Sequence, residues 1–200
     1  YYGIKIPNKL DLVYKTKKIK KKKIIFGTIS RLVEQKNIDL AIDAFKLLHE
    51  KKYYFEYRIL GKGILEKNLK NKVKNLNLTN QIKFYGYSDN PQIFLKNIDV
   101  FCLTSLYEGL GLVVLEAMIA KKLLVLSDAG ALSELIKHNH NGISFKSNNL
   151  EDLLKNLKYS IKINNTKTSL NLINNSIILL KKEYREEINR NKIMAIYNNG

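Results

Sequence analysis

The chain has 200 residues, of which 45% are hydrophobic and 26% charged; it suffices for one globular domain or two small ones, burying roughly 70% of the unfolded surface, and excludes a disordered tail, a collagen-like chain and a disulfide scaffold. Its 35 Lys and Arg, all but four of them Lys, against 18 Asp and Glu leave a net charge of +17, a field that attracts nucleic acid, acidic lipid or phosphorylated substrates, or else a solvated lysine surface of biased composition. The single cysteine, Cys102, cannot form an internal disulfide, which suits a reducing, cytoplasmic compartment, and neither a signal peptide nor a run of 18 apolar residues is visible. A start at Tyr1-Tyr2-Gly3 without Met leads us to expect a fragment.

Along the chain, Ile4-Lys5-Ile6-Pro7 reads as a short strand ended by proline, and Lys15–Lys23 as a self-repelling, exposed run. Residues 1–23 are therefore expected to form a connector. Ile24–Ile29 is a short β-rich apolar run, the pattern of a buried parallel strand. Ile38, Ala41, Ile42, Phe45 and Leu48 recur at helical spacing. Phe55–Leu60 predicts a second strand, followed by Gly61-Lys62-Gly63 and a helix from about Leu65 to Leu76. Gln81–Tyr85 predicts a third strand, a short helix lies around Ile93, and Ile98–Leu103 predicts a fourth strand. Helix over Leu112–Ile119, strand over Leu123–Leu126, helix over Leu132–Lys137 and strand over Ile143–Phe145 follow, and the pattern after Leu150 is helical.

Alternating strands and helices predict an α/β fold, a Rossmann-like, doubly wound parallel sheet with a C-terminal helical tail. The sheet domain is expected over residues 24–160 and the C-terminal helices over 161–200. In such sheets ligands bind at the C-terminal ends of the strands, so the loops after Ile29, Leu60, Tyr85 and Leu103 are the candidates. After the first strand come Arg31 and Lys36, an arginine fork and a lysine point charge ahead of a helix, a pairing suited to a diphosphate. After the fourth comes Ser105-Leu106-Tyr107-Glu108-Gly109-Leu110-Gly111-Leu112, leading into an apolar helix that carries Glu116. Glycines let a backbone approach a ligand, and the free amides of the helix start aim at the loop. Glu108 can reach a ligand held by those amides. Glu116 is costly in an apolar helix unless it is paired or faces a site.

The segment "SLYEGLGLVVLEAM", with Glu108 and Glu116 separated by seven residues, resembles the hallmark of the retaining GT-B glycosyltransferase family, glycosyl transferases group 1. "GTISRLVEQKNIDLAIDAFKLL" is similar to that family's first strand, phosphate loop and helix; "YRILGKGILEKNLKN", "IKFYGYSDN" and "IDVFCLTSLYEG" follow in its order, and "IPNKLDL" resembles its interdomain linker. Departures fall in turns: Lys9 in the linker, Ala120-Lys121-Lys122-Leu123-Leu124 after the second glutamate, and one glycine in Ala129-Gly130-Ala131. The charged residues are intact.

The resemblance implies a C-terminal, donor-binding half whose acceptor domain is absent, and a hexosyltransferase-type enzyme that moves a sugar from a nucleotide-diphosphate sugar to a glycan or lipid-linked acceptor with retention of configuration. It implies a place in polysaccharide or lipopolysaccharide biosynthesis and inactivity of this portion by itself. Arg31 and Lys36 are expected to hold the diphosphate and stabilise its growing charge, Glu108 to bind sugar hydroxyls, Glu116 the ribose, Gly109–Leu112 to assist through amides, and Tyr87 to lie by the base. Arg31, Lys36 and Glu108 are the candidate catalytic residues; Lys36 and Glu108 are expected to be partly exposed, so that truncation spares stability. No metal is expected: Asp-x-Asp is absent, and His138-Asn139-His140 lacks a third ligand nearby. The lysine run and basic tail are expected to favour an anionic membrane surface on the cytoplasmic side.

Three rivals have their own signatures. A dehydrogenase needs Gly-x-Gly-x-x-Gly after strand one, where Gly27-Thr28-Ile29-Ser30 stands. A nucleic-acid binder suits the charge, but arginine is scarce and no helix-turn-helix or RNA-binding motif appears. A non-catalytic nucleotide-sugar module, or half of a split enzyme, shares the motifs.

Overall fold

The computed structural model describes residues 4, 6–7, 10–13, 23–109 and 111–184. The lysine run other than Lys23, the linker residues Asn8 and Lys9, loop residue Leu110 and the tail after Tyr184 lie outside the described residues.

Six strands, β1 (Ile24–Ile29), β2 (Phe55–Leu60), β3 (Ile82–Phe84), β4 (Val100–Leu103), β5 (Leu123–Ser127) and β6 (Ile143–Phe145), form one sheet in the order β3-β2-β1-β4-β5-β6. Every pairing is parallel. The winding reverses between β1 and β4, the switch point at which a doubly wound sheet opens a crevice. The expected fold class is the observed one.

Side chains alternate across the sheet with the period of two that strands impose. On one face Phe26, Tyr57, Ile59, Val100, Cys102, Val125, Ile143 and Phe145 meet α1 (Ile38–Glu50), α2 (Glu66–Asn75) and α6 (Leu150–Ile163). On the other, Phe101, Leu103, Leu124 and Leu126 meet α3 (Pro91–Lys96), α4 (Leu112–Ile119), α5 (Leu132–Leu135) and α7 (Lys167–Glu183). Phe45 of α1 anchors the first layer, stacked on Tyr57 at 4.2 Å between ring centroids and edge-on to Phe26 at 5.1 Å, a geometry aromatic pairs favour.

The helical pattern after Leu150 resolves into two helices with Asn164-Asn165-Thr166 between them. Asn165 takes a left-handed φ of 58°, and the Thr166 hydroxyl caps α7 by accepting from the Ser169 amide. α6 contributes Leu153 and Leu157 to one core layer, and α7 Ile177 and Leu180 to the other. The early segment also lies on α7: Leu10 is buried, the Asn174 amide donates to the Val13 carbonyl while its oxygen accepts from the Val13 amide, and the Ile4 amide donates to the Tyr184 carbonyl.

Several boundaries differ from expectation, among them that of β5, which runs one residue further, to Ser127. α5 stops at Leu135 and not Lys137, because Asn141 replaces the next helical turn: its side-chain NH2 donates to the Leu135 carbonyl and its oxygen accepts from the Lys137 amide. β4 begins at Val100 and not Ile98, since the Asp99 carboxylate instead accepts from the Ile25 amide. β3 is limited to three residues, although the Tyr85 amide still donates to the Ile59 carbonyl.

Candidate functional site

The β1 loop does not run straight into α1. Glu34–Lys36 forms a single 3-10 turn, Asn37 follows at φ 47°, and α1 then starts at Ile38. The turn brings Lys36 back across the switch point to the loop after β4. There its ammonium meets Glu108 Oε1 at 2.5 Å. The side chains are 13% and 10% exposed; the expectation of a partly exposed group fails for Glu108, which is buried, and holds for Lys36, which keeps intermediate exposure.

Backbone and polar side chains join the two loops. The Leu106 amide donates to the Gln35 carbonyl at 2.8 Å and the Gln35 side chain donates to the Tyr107 carbonyl at 2.8 Å. The buried Thr104 hydroxyl sits 3.0 Å from the Lys36 carbonyl and 2.9 Å from that of Asn37. Ser105, fully buried, donates from Oγ to Glu108 Oε1 at 2.7 Å, while its own carbonyl accepts from the Ser127 hydroxyl. The Ala131 amide donates to the Glu108 carbonyl, and a Cβ on Gly130, whose φ is +57°, would stand 2.5 Å from that oxygen. Gly130 is the one glycine kept in a turn where the family resemblance leads to two, and it stands where the backbones touch.

Arg31 is exposed on the same side of the sheet and carries no ion pair among the described residues. Gly111 adopts φ +65° immediately before α4, while Gly109 is exposed, and a Cβ added there would have no atom within 4 Å. The first turn of α4 thus opens at the loop with no side-chain cap, the Val114 amide donating to the Gly111 carbonyl; the start of a helix is an arrangement that favours anions. Leu112 begins that helix half-exposed, and Glu116 lies one turn further along the same face. Glu116 is half-buried, no ion pair or hydrogen bond holds its carboxylate among the described residues, and burial pushes its carboxyl above the usual carboxylate range. Tyr87 is exposed on the β3 loop, where the neighbouring Asp89 pushes its phenol above the usual range.

The structure therefore brings Lys36 and Glu108 into contact, places Arg31, Gly109, Gly111, Leu112 and Glu116 on the same end of the sheet, and leaves Tyr87 on the outer β3 loop. Leu110 lies outside the described residues. His138 is elsewhere: its Nδ1 accepts from the Ser144 amide at 3.2 Å beside β6, and among the described residues no group of three His, Cys, Asp or Glu side chains converges. Sequence reasoning misses Ser105, Thr104 and Gln35; a hydroxyl three residues before Glu108 is the visible signal for Ser105. A groove of about 690 Å³ lined by Tyr53, His138, Lys155, Lys158, Tyr159 and Lys162 lies away from these loops. Three lysines there are what a lysine-rich surface supplies to any groove, and they mark no site.

Glu116 can be tested by itself. Glu116→Ala is expected to leave folding stability unchanged or slightly raised, because it removes a carboxylate whose burial nothing offsets. If Glu116 accepts from ligand hydroxyls, donor affinity should fall ten- to hundredfold, about 1.5–3 kcal/mol. Donor titration and melting curves read the two effects separately; an unchanged affinity removes the role.

The glycosyl transferases group 1 family matches residues 13–178. A poly(ribitol-phosphate) alpha-N-acetylglucosaminyltransferase of Staphylococcus aureus (strain COL) is 34% identical over 130 residues, covering 64% of this chain and 26% of that protein. A crystal structure of a mutant S. aureus TarM, in complex with fondaparinux, alpha-GlcNAc-glycerol and UDP, superposes with a TM-score of 0.76 at 27% identity, covering 96% of this chain and 39% of that one. The C-terminal domain of a glycosyl transferase group 1 family protein (LpcC) from Francisella tularensis gives a TM-score of 0.72 at 25% identity, covering 81% of this chain and 86% of that one. The chain spans between about a quarter and a half of the length of the curated relatives it matches.

Proposed function

The chain belongs to the glycosyl transferases group 1, a GT-B family, and we propose that it is the donor-binding, C-terminal part of an enzyme that transfers a hexosyl group from a nucleoside diphosphate sugar to a glycan or lipid-linked acceptor, with retention of configuration. The observation that carries this reading is the Lys36–Glu108 pair at the switch point, with Arg31 exposed on the same β1 loop and the start of α4 following the Glu108 loop. A carboxylate and a cation in contact hold each other in a largely dry place until a ligand offers each something better: phosphate oxygens for the ammonium, sugar hydroxyls for the carboxylate.

In this reading Arg31 and Lys36 hold the diphosphate. As the bond to the anomeric carbon breaks, negative charge grows on the leaving oxygen, and fixed cations with the α4 amides stabilise it more than they stabilise the bound donor. This is the work a divalent metal would otherwise do, so the reaction proposed is metal-free. Glu108 orients the sugar, Glu116 accepts from the ribose hydroxyls, and the base lies along the β3 loop by Tyr87. The TarM complex with UDP supports a uridine nucleotide, and the S. aureus transferase named for a poly(ribitol-phosphate) supports a polymeric glycan acceptor. The likeness to a separate C-terminal domain supports the placement of this chain in the second half of a GT-B enzyme.

The exposed apolar rim agrees with a cleft. Among the described residues, six of the nine large apolar or aromatic side chains that are exposed, Ile64, Tyr85, Tyr87, Leu106, Tyr107 and Leu112, sit on loops or a helix start at the C-terminal end of the sheet. Such a concentration marks a surface that meets a ligand or another domain. No helix among the described residues is long and apolar enough to cross a membrane; peripheral contact with anionic lipid on the cytoplasmic side is part of the proposal and rests on the net charge of +17.

Calorimetry of the 200-residue chain with UDP tests the reading. Binding in the presence of a chelator is expected to equal binding in magnesium to within about twofold, roughly 0.4 kcal/mol. Binding that requires magnesium overturns the metal-free mechanism; no binding of UDP or any other nucleoside diphosphate overturns the donor site.

A further inference from the structure

Glu108 has two carboxylate oxygens and its partners use one. Oε1 accepts from Lys36 Nζ at 2.5 Å and from Ser105 Oγ at 2.7 Å. A carboxylate offers about four lone-pair sites, two on each oxygen. Oε1 is therefore filled, and no described residue donates to Oε2.

The two donors differ in what a ligand does to them. Lys36 is an ammonium on a flexible stem with three hydrogens, and a diphosphate competes for it. Ser105 is fully buried, with its hydroxyl directed to Glu108 and its carbonyl held by the Ser127 hydroxyl at 2.7 Å and approached by that of Ser147 at 3.3 Å. Those two serines end β5 and follow β6, so Ser105 is fastened to the sheet and not to the flexible stem of a charged side chain. We propose that Ser105 is a positioning residue: it holds Oε1 of Glu108 when phosphate draws Lys36 away, and so keeps Oε2 turned to the hydroxyls of the donor sugar.

The inference rests on the proposed role of Glu108 and adds a division of labour to it. Lys36 acts on the phosphates. Ser105 acts on the sugar through Glu108 and touches neither. A serine with a merely structural role would support the whole loop, and its loss would weaken the nucleotide and the sugar alike.

The test titrates the 200-residue chain with UDP and with UDP-glucose, UDP-galactose and UDP-N-acetylglucosamine, and takes the ratio of sugar-bearing to bare UDP affinity. Ser105→Ala is expected to leave UDP affinity unchanged to within about twofold and to lower that ratio about tenfold or more, the size of one hydrogen bond to a charged acceptor. Ser105→Cys keeps the volume with a weak donor, is expected to show the same split, and decides the matter if the alanine variant does not fold. Equal losses for UDP and for the sugar nucleotides make Ser105 structural and overturn the proposal. A lowered ratio in Glu108→Gln with an unchanged ratio in both Ser105 variants overturns Ser105 alone. An unchanged ratio in Glu108→Gln, or no preference of the wild type for any sugar nucleotide over UDP, overturns the reading of Glu108 and the proposal with it.

Discussion

Lys36→Ala is expected to lower sugar transfer by the complete enzyme on the order of 10²–10³-fold, the usual effect of deleting one fixed group that stabilises charge in a transition state. The same change should destabilise the fold, which the sequence alone does not suggest. Glu108 is 8% exposed, and without Lys36 its carboxylate is left largely buried with a neutral serine as partner. Breaking a buried ion pair from one side costs about 3–5 kcal/mol, and the lower end applies here because both side chains keep some contact with water. The double variant Lys36→Ala/Glu108→Ala removes the orphaned charge and should recover much of that stability while recovering none of the turnover. Denaturant unfolding and transfer rates on the two singles and the double decide it. If Lys36→Ala keeps turnover within about threefold of wild type, the cation is not part of the chemistry.

The largest effect on folding is expected at Gly61. Its φ is +142°, a conformation side chains rarely adopt, and an added Cβ would stand 1.8 Å from the Ser30 carbonyl oxygen. Neither backbone can retreat. The Ser30 amide donates to the Leu60 carbonyl at 3.0 Å, the Leu32 amide to the Lys62 carbonyl at 2.9 Å, and the Gly61 amide to the Gly86 carbonyl at 2.6 Å. Three loops, after β1, β2 and β3, meet at this point, and the β1 loop is the one that delivers Lys36. Gly61→Ala should therefore cost about 3 kcal/mol or more, from strain and collision together, lowering the melting temperature by roughly 10 °C in a domain of this size. Gly109→Ala serves as the contrast, because among the described residues beyond its chain neighbours no atom lies within 4 Å of its Cβ position, and its melting temperature should match wild type. Equal melting temperatures for the two variants would show that the β1 and β2 loops can part without cost.

How far the sequence reaches differs between the sheet and the site. The strand Ile24–Ile29 is an apolar run between turn residues, Phe55–Leu60 sets aromatic and aliphatic residues around Glu56 and Arg58, and helices such as Ile38–Glu50 show their buried face as Ile38, Ala41, Ile42, Phe45 and Leu48. Those patterns come from burial with the period of the local structure, so each is written within a dozen residues and can be read there. The alternation of strand and helix then leaves few topologies, and the parallel order with its switch between β1 and β4 is the one observed. Arg31, Lys36, Glu108 and Glu116 are likewise visible as charges at the ends of strands or inside an apolar helix.

Contacts between segments far apart in the chain belong to the tertiary structure. Lys36 and Glu108 are 72 positions apart, and their pairing requires a 3-10 turn and a left-handed Asn37 that no local pattern announces. Partial exposure is the expectation for each because a lone charge avoids burial; the pairing reverses it for Glu108, whose cost of leaving water Lys36 offsets, while Lys36 itself stays partly exposed. In sequence Gly61-Lys62-Gly63 is a glycine pair between a strand and a helix, yet the task of Gly61 is to let the Ser30 backbone pass. Ser105 and Thr104 read as ordinary loop hydroxyls until the fold buries them against Glu108 and the Lys36 turn. A sequence records which residues avoid water and at what period, and that determined the sheet. Which polar groups share one dry place depends on how separate loops close over it, and that was decided only when the sheet assembled.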